Sequence, residues 1–260
     1  MDNARVNQYF ERIGLEMPEE IIPDGEFLKK LSFHNIISIP YENTQFLTKK
    51  IIPCNVDDLF QRIVVEKKGG ICHDIACLFG WFLEEIGYEV VHVGTVSFVE
   101  KIKTHIHRTL VVTDCNNTKW LTEVAYSPMF TNKAPFLYEF DLEQERVDGI
   151  FKLEKKSDEV FLVGPNEYCS FCMKYWDISP EVGTQIKEMT IKYEDPAGEI
   201  KRNIAIGTPE GRRTLTGNTY RESFNGNVYS YECDEKTLPW VYSQFGLNYQ
   251  SIYKSETNIM

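Results

Sequence analysis

The period of the apolar positions changes along the chain. Up to about residue 88 they recur at helical spacing. Val6, Tyr9, Phe10 and Ile13 follow the i, i+3, i+4, i+7 rule of one helix face, and Gly14 supplies a stop. A second, weaker helix is expected over 24–33. A third takes Asn55 as N-cap, places Asp57 and Asp58 in its first turn, and turns Val56, Leu59, Phe60 and Ile63 inward. A fourth opens just after Gly69-Gly70. Its stripe is Ile75, Leu78, Phe79, Phe82, Leu83 and Ile86, and Gly87 closes it.

From Tyr88 the period falls to two. Residues 89–99, 109–113 and 120–126 are rich in β-branched and aromatic side chains, with a turn at Asn116-Asn117. Residues 149–153 and 159–163 read the same way, so the middle third is expected to be an antiparallel sheet or barrel. Beyond it, 184–192 is a short helix, 203–206, 213–215 and 227–233 are strands, and 239–247 is a closing helix. Pro209-Glu210-Gly211 and Asn225-Gly226 mark turns between those strands. The class is α+β, divided as 1–88, 89–190 and 191–260.

Composition narrows the picture. The chain has 260 residues, 42% hydrophobic and 13% aromatic, which excludes a disordered chain. With Lys+Arg 28 against Asp+Glu 39, the net charge is −11, which argues against nucleic acid as a partner. The opening Met1-Asp2-Asn3-Ala4-Arg5 lacks the layout of a secretory signal, and no apolar run approaches the ~20 residues of a membrane span. Seven scattered cysteines, an odd number, suit free thiols. A cytoplasmic protein without a membrane partner is expected.

Among those thiols Cys72 stands out. It follows Lys68-Gly69-Gly70-Ile71 and opens the fourth helix. A helix start presents unpaired N–H groups and a positive dipole end, and both favour thiolate, the nucleophilic form. A buried, inert cysteine is the competing reading. A nucleophile needs a base. His73 is the chain neighbour of Cys72 and points about 100° away on a helix. His34 ends the second helix, and His92 lies inside a strand. His105 and His107 enter a strand on one face, without a third residue at metal-ligand spacing. His105 and His107 therefore remain as candidate bases, and Glu123, on the strand after His107, is the candidate orienting acid for His107. A two-residue loop at 116–117 would put them on opposite faces. The pairing requires an odd-numbered loop, a β-bulge, or strands that are not neighbours.

These segments, in this order, resemble one family. Tyr9-Phe10-Glu11-Arg12-Ile13-Gly14, Ile39-Pro40-Tyr41-Glu42-Asn43, Lys68-Gly69-Gly70-Ile71-Cys72, His107-Arg108-Thr109-Leu110-Val111-Val112 and Trp120-Leu121-Thr122-Glu123-Val124-Ala125-Tyr126 are similar to stretches of the arylamine N-acetyltransferases. The resemblance covers about residues 5–130 and fades beyond. It implies a cysteine-proteinase-like fold: an N-terminal helical bundle carrying Cys72, a central antiparallel β-barrel carrying His107 and Glu123, and a C-terminal α/β lid. It also implies a ping-pong transfer of an acetyl group from acetyl-CoA to an arylamine, arylhydrazine or similar amine, through acetyl-Cys72 and without a metal. Tyr41, Ile71, Tyr126 and Ser127 would line the amine, acyl and cofactor pocket.

The departures from the family pattern are specific. Glu123 stands for Asp, which adds about one C–C bond of reach. Lys68 stands for Arg, and His73, Asp74 and Ala76 follow the cysteine where the family has an aromatic or Gln-like residue, Glu and Asn. A Lys68–Asp74 pair would replace the family's Arg–Glu. Ala125-Tyr126-Ser127 stands for Gly-Phe-Gly. A related amide synthase with another acyl donor, a cysteine peptidase or transglutaminase-like enzyme, and a degenerate member that only binds ligand are the alternatives. Cys169-Ser170-Phe171-Cys172 is a single CxxC without a second pair.

Overall fold

The computed structural model describes residues 2–47, 51–97, 106–125, 133–157, 159–165, 171–177, 182–188 and 201–253. Helix α1 spans Asn3–Arg12, and Asp2 caps it by accepting from the Arg5 N–H. Gly14, just past its end, takes φ +72°, the left-handed conformation that favours glycine there. Helix α2 runs Gly25–Ser38 behind an Asp24 cap. It is longer than expected, and His34 lies inside it, against the Ile13 carbonyl at 3.2 Å. Ile39 ends it in extended geometry (φ −109°, ψ 109°), as the residue before Pro40 must.

Strand β1 (Tyr41–Glu42) and helix α3 (Thr44–Leu47) follow. Helix α4 (Val56–Phe60) is capped by Asn55 and continues as a π-helical turn, Gln61–Val65. Helix α5 is Cys72–Glu85. Arg12 ties these pieces together. Its guanidinium donates to the carbonyls of Ile63 (2.7 Å), Ser38 (2.6 Å) and Lys68 (3.3 Å). The helical core is aromatic: Tyr9 stacks on Phe82, Phe10 meets Phe82 edge-on, and Phe60 meets Trp81 edge-on.

The central strands are β2 (Glu89–Ser97), β3 (Ile106–Thr113), β4 (Lys119–Thr122), β5 (Phe136–Leu137), β6 (Gln144–Arg146), β7 (Gly149–Lys156), β8 (Glu159–Val163) and β9 (Phe171–Asp177). They pair in the order β5-β4-β3-β2-β9-β8-β7-β6. The closed barrel expected from the sequence is not formed by backbone ladders among the described strands. The two edges, β5 and β6, are short, and Pro135 before β5 has no N–H to extend a ladder. A side chain spans the gap instead. Gln144 accepts from the Leu137 N–H (2.8 Å) and donates to the Leu137 carbonyl (3.0 Å), which copies a ladder pair. Arg146 adds a bond to the Pro135 carbonyl and lies over the Phe136 ring.

Residues 182–188 form a helical turn, α6. Strands β10 (Asn203–Thr208), β11 (Gly211–Thr216), β12 (Thr219–Phe224) and β13 (Asn227–Glu232) make an antiparallel meander, followed by α7 (Leu238–Ser243) and α8 (Tyr249–Tyr253). Strand β1 from the helical part pairs with β10, so this sheet has five strands. Asn43 fixes the junction: its amide bonds both ways with the backbone of Lys201 and Asn203. Among the described residues no helix is long and apolar enough to cross a membrane.

The Gln144 clip generates a prediction. Gln144→Leu keeps the volume and removes both bonds to Leu137. A loss of about 1–3 kcal/mol in urea unfolding is expected, with faster amide exchange at Phe136 and Leu137. Unchanged exchange there would contradict the clip.

Candidate active site

The segment before Cys72 is built by close backbone approach. A Cβ on Gly69 would lie 2.1 Å from the Pro40 carbonyl oxygen, and one on Gly70 would lie 2.6 Å from the Asp74 Cβ. Only glycine fits at either position. The Glu42 N–H donates to the Gly70 carbonyl (2.9 Å), so β1 holds this turn on one side and β10 on the other. Tyr41 takes part in both pairings through its backbone, and its side chain packs on the helical core.

Helix α5 then begins at Cys72, with Ile71 as its cap residue in extended geometry. Asp74 caps the turn from within: it accepts from the Ile71 N–H at 3.1 Å. The Cys72 N–H has no partner among the described residues, so the helix start retains a donor beside the thiol. Cys72 is half-buried, and its chain neighbour His73 is buried in the helix interior face.

Strands β3 and β4 bring the other two groups. They pair as Leu110↔Thr122, Val111↔Leu121, Val112↔Trp120 and Thr113↔Lys119. The connection is residues 114–118, five long and odd-numbered, not the two-residue turn at 116–117. Asp114 organises it by accepting from Asn116, Thr118 and the Trp120 indole. With this register His107 and Glu123 fall on one face, diagonal to each other. His107 Nε2 and Glu123 Oε2 are 2.6 Å apart. The second carboxylate oxygen accepts from the Ala125 N–H at 2.9 Å. The longer side chain of Glu is absorbed by this curl: it sits one residue past the end of β4 and folds back on its own backbone.

Burial alone would lower the His107 pKa. The Glu123 carboxylate and the hydrogen-bonded Cys72 sulfur outweigh it and raise the imidazole from 6.5 to about 10. The Cys72 sulfur hydrogen-bonds the same imidazole. Cys72, His107 and Glu123 thus form one hydrogen-bonded chain, with an imidazolium between an acid and a sulfur near neutral pH. Such an arrangement supports a thiolate nucleophile and a proton carrier. Burial drives two other thiols the other way, Cys54 up to about 12 and Cys77 upward, so both stay protonated.

Two further buried carboxylates flank the helix start. Glu42 is ion-paired with Arg62 and accepts from the Thr44 N–H at 2.8 Å and from the Thr44 hydroxyl. Asp74 is ion-paired with Lys187 of α6 and accepts from Gln45 at 2.8 Å. The Lys68–Asp74 pair expected from the sequence does not form: Lys68 bonds Glu66 at the surface (2.9 Å). An acid at the third helical position, as at Asp74, is a local capping signal, whereas Lys187, far along the chain, carries none. His92 packs over Gly80, where a Cβ would lie 2.6 Å from its ring. Tyr126, Ser127, His105 and Cys169 lie outside the described residues.

A family model described as N-acetyltransferase matches residues 24–251. Arylamine N-acetyltransferase 1 of Mesocricetus auratus is 25% identical over 160 residues, which cover 60% of this chain and 55% of that protein. The matched stretch thus spans about half the length of that curated relative. An arylamine N-acetyltransferase of Mycobacterium marinum, solved in complex with CoA, superposes with a TM-score of 0.84 at 18% identity over 98% of each chain. One from Bacillus cereus, with a unique Cys-His-Glu catalytic triad, superposes with a TM-score of 0.80 at 19% identity over 95% of this chain and 99% of that one. Sequence identities this low establish a shared fold.

The His107–Glu123 bond makes stability depend on pH. A raised folded-state pKa adds stability that is complete below 6.5 and is lost as pH rises toward 10. The urea midpoint should therefore fall between those values, and Glu123→Gln should flatten the fall. An equally steep fall in the variant would contradict the pairing.

Proposed function

The chain belongs to the arylamine N-acetyltransferase family, and from that premise we propose that it moves an acetyl group from acetyl-CoA to the nitrogen of an arylamine, arylhydrazine or similar amine, in two steps through acetyl-Cys72. The observation that carries the reading is the continuous contact of Cys72, His107 and Glu123 at a helix start.

In the first step the Cys72 thiolate attacks the thioester carbonyl. The oxyanion is met by the Cys72 N–H, which the helix leaves without a partner. The tetrahedral adduct collapses, the C–S bond to CoA breaks, and His107 gives its proton to the departing sulfur. In the second step the amine nitrogen attacks the acetyl-cysteine carbonyl. His107 takes the amine proton, the C–S bond to Cys72 breaks, and thiolate and imidazolium are restored. Glu123 holds the imidazole in place and stabilises its charged form throughout. The Ala125 N–H in turn fixes the carboxylate.

The CoA complex of the Mycobacterium marinum protein supports CoA thioesters as donors. The Cys-His-Glu triad of the Bacillus cereus protein supports Glu123 in the acid's place. Tyr41, Ile71, Tyr126 and Ser127 are proposed to line the acyl and amine pocket. The division at about 88 and 190 is proposed to give three units: a helical one with Cys72, a β one with His107 and Glu123, and a C-terminal lid.

Intact-mass analysis after mixing with acetyl-CoA alone tests the reading. One acetyl adduct is expected, mapped to Cys72, discharged by an arylamine or hydrazine, and absent in Cys72→Ala. Absence of an adduct together with no CoA release would overturn it. Glu123→Gln should slow acetylation by about tenfold or more if the carboxylate orients the base. An unchanged rate would remove Glu123 from the mechanism.

A further inference from the structure

We propose that Lys187 is a positioning residue for Cys72, acting through Asp74: its buried ammonium pairs with the Asp74 carboxylate, and that carboxylate holds the Ile71–Cys72 turn in its reactive geometry. This rests on the assignment of Cys72 as nucleophile.

Both partners are withdrawn from solvent completely. A buried charge pair of this kind is costly unless every lone pair and proton is satisfied. Here the carboxylate is saturated. One oxygen accepts from the Ile71 N–H (3.1 Å) and from Gln45 (2.8 Å). The other meets Lys187 and the Cys54 thiol, the latter at 3.6 Å. The ammonium also donates to the Ile52 carbonyl at 2.5 Å. One of these partners, Ile71, is the residue before Cys72.

The helical turn that carries Lys187 is docked at three points on the same face. Gly183 fits where a Cβ would lie 3.0 Å from the Cys54 sulfur and 3.2 Å from the Arg108 guanidinium. The Thr184 hydroxyl accepts from the Cys54 N–H at 3.0 Å. Lys187, one turn on, reaches Asp74. A segment more than a hundred residues away is thus locked against the start of α5 by a close approach, a hydrogen bond and an ion pair.

The charged and titratable groups facing Asp74 are Lys187 from α6, Cys54 from the segment before α4, and Arg62 from the π-helical turn. Cys77 and Arg108 lie next to them around Cys54. Burial would raise the Asp74 pKa, and Lys187, Gln45 and Arg62 together hold it below the usual carboxylate range. Without the Lys187 ammonium, burial acts unopposed by its nearest charge. Asp74 then binds a proton, one oxygen becomes a donor, and the bond to the Ile71 N–H weakens.

The test follows Cys72 alkylation by iodoacetamide, read by peptide mass, in wild type and in Lys187→Met as a function of pH. The variant should be slower by about tenfold near pH 6, and the deficit should shrink as pH rises and a buried carboxylate reionises. Lys187→Arg keeps the charge and should react within about threefold of wild type, with the wild-type profile. A folded Lys187→Met with a pH-independent ratio near one overturns the inference. If that variant does not fold, Lys187→Gln, which keeps a donor for the Ile52 carbonyl, is read in its place. If neither neutral variant folds, Lys187 serves the fold and not the site, and the inference is likewise overturned. Alkylation does not need acetyl transfer, so a wild type that takes no acetyl group would sink the functional reading and leave this comparison intact.

Discussion

The contact between His107 and Glu123 exists because the β3–β4 connection has five residues. Side chains alternate across a sheet, so a connection one residue shorter or longer would turn Glu123 to the other face. Asp114 sets that length by binding the loop's N–H groups and the Trp120 indole, and it thereby fixes which residues of β4 share the His107 face. The same register sends Leu110, Val112 and Trp120 to the helical core and Val111 and Leu121 to the sheet's own core. One loop therefore decides how the sheet packs on α5 and which acid reaches the imidazole.

Around this contact, among the described residues, the buried carboxylates Glu123, Glu42 and Asp74 each have their own cation. Glu123 has His107, Glu42 has Arg62 and Asp74 has Lys187. Each pair joins parts of the chain that are separate in sequence: two strands, β1 with the π-helical turn, and α5 with α6. Removing one partner of such a pair leaves an unbalanced buried charge, typically a loss of about 3–5 kcal/mol. The pairs therefore link the site's geometry to the packing of β1, the π-helical turn and α6. The Gly69-Gly70 turn belongs to the same design, since the absence of side chains lets Pro40 and Asp74 close on it.

Much of this was legible in the sequence because it is local. The caps Asp24 and Asn55, the stop at Gly14, the stripe of α5 and the Asn225-Gly226 turn all act within a few residues of where they stand. The odd loop was deducible once His107 and Glu123 were required to meet. What was missed depends on distant partners or on weak patterns. Helix α2 passes His34 and continues to Ser38 because nothing before Pro40 opposes a helix. Strand β12 is Thr-Tyr-Arg-Glu-Ser-Phe, too polar to read as a strand except between β11 and β13. Strand β4 ends at Thr122, earlier than its apolar run suggests, because Glu123 turns back to bind Ala125. The barrel did not close by strands because its edges are short, and a glutamine amide stands in for the ladder. Lys187 answers Asp74 from across the chain, and no spacing rule links them.

The central claim is that His107 is held as a cation between Glu123 and Cys72 at the pH where the protein would work. Nitrogen-15 NMR of histidine-labelled protein reads this directly. The account predicts that the His107 ring carries both protons at neutral pH and titrates near 10. A neutral His107 ring at pH 7, titrating near 6.5 like an ordinary imidazole, would contradict it.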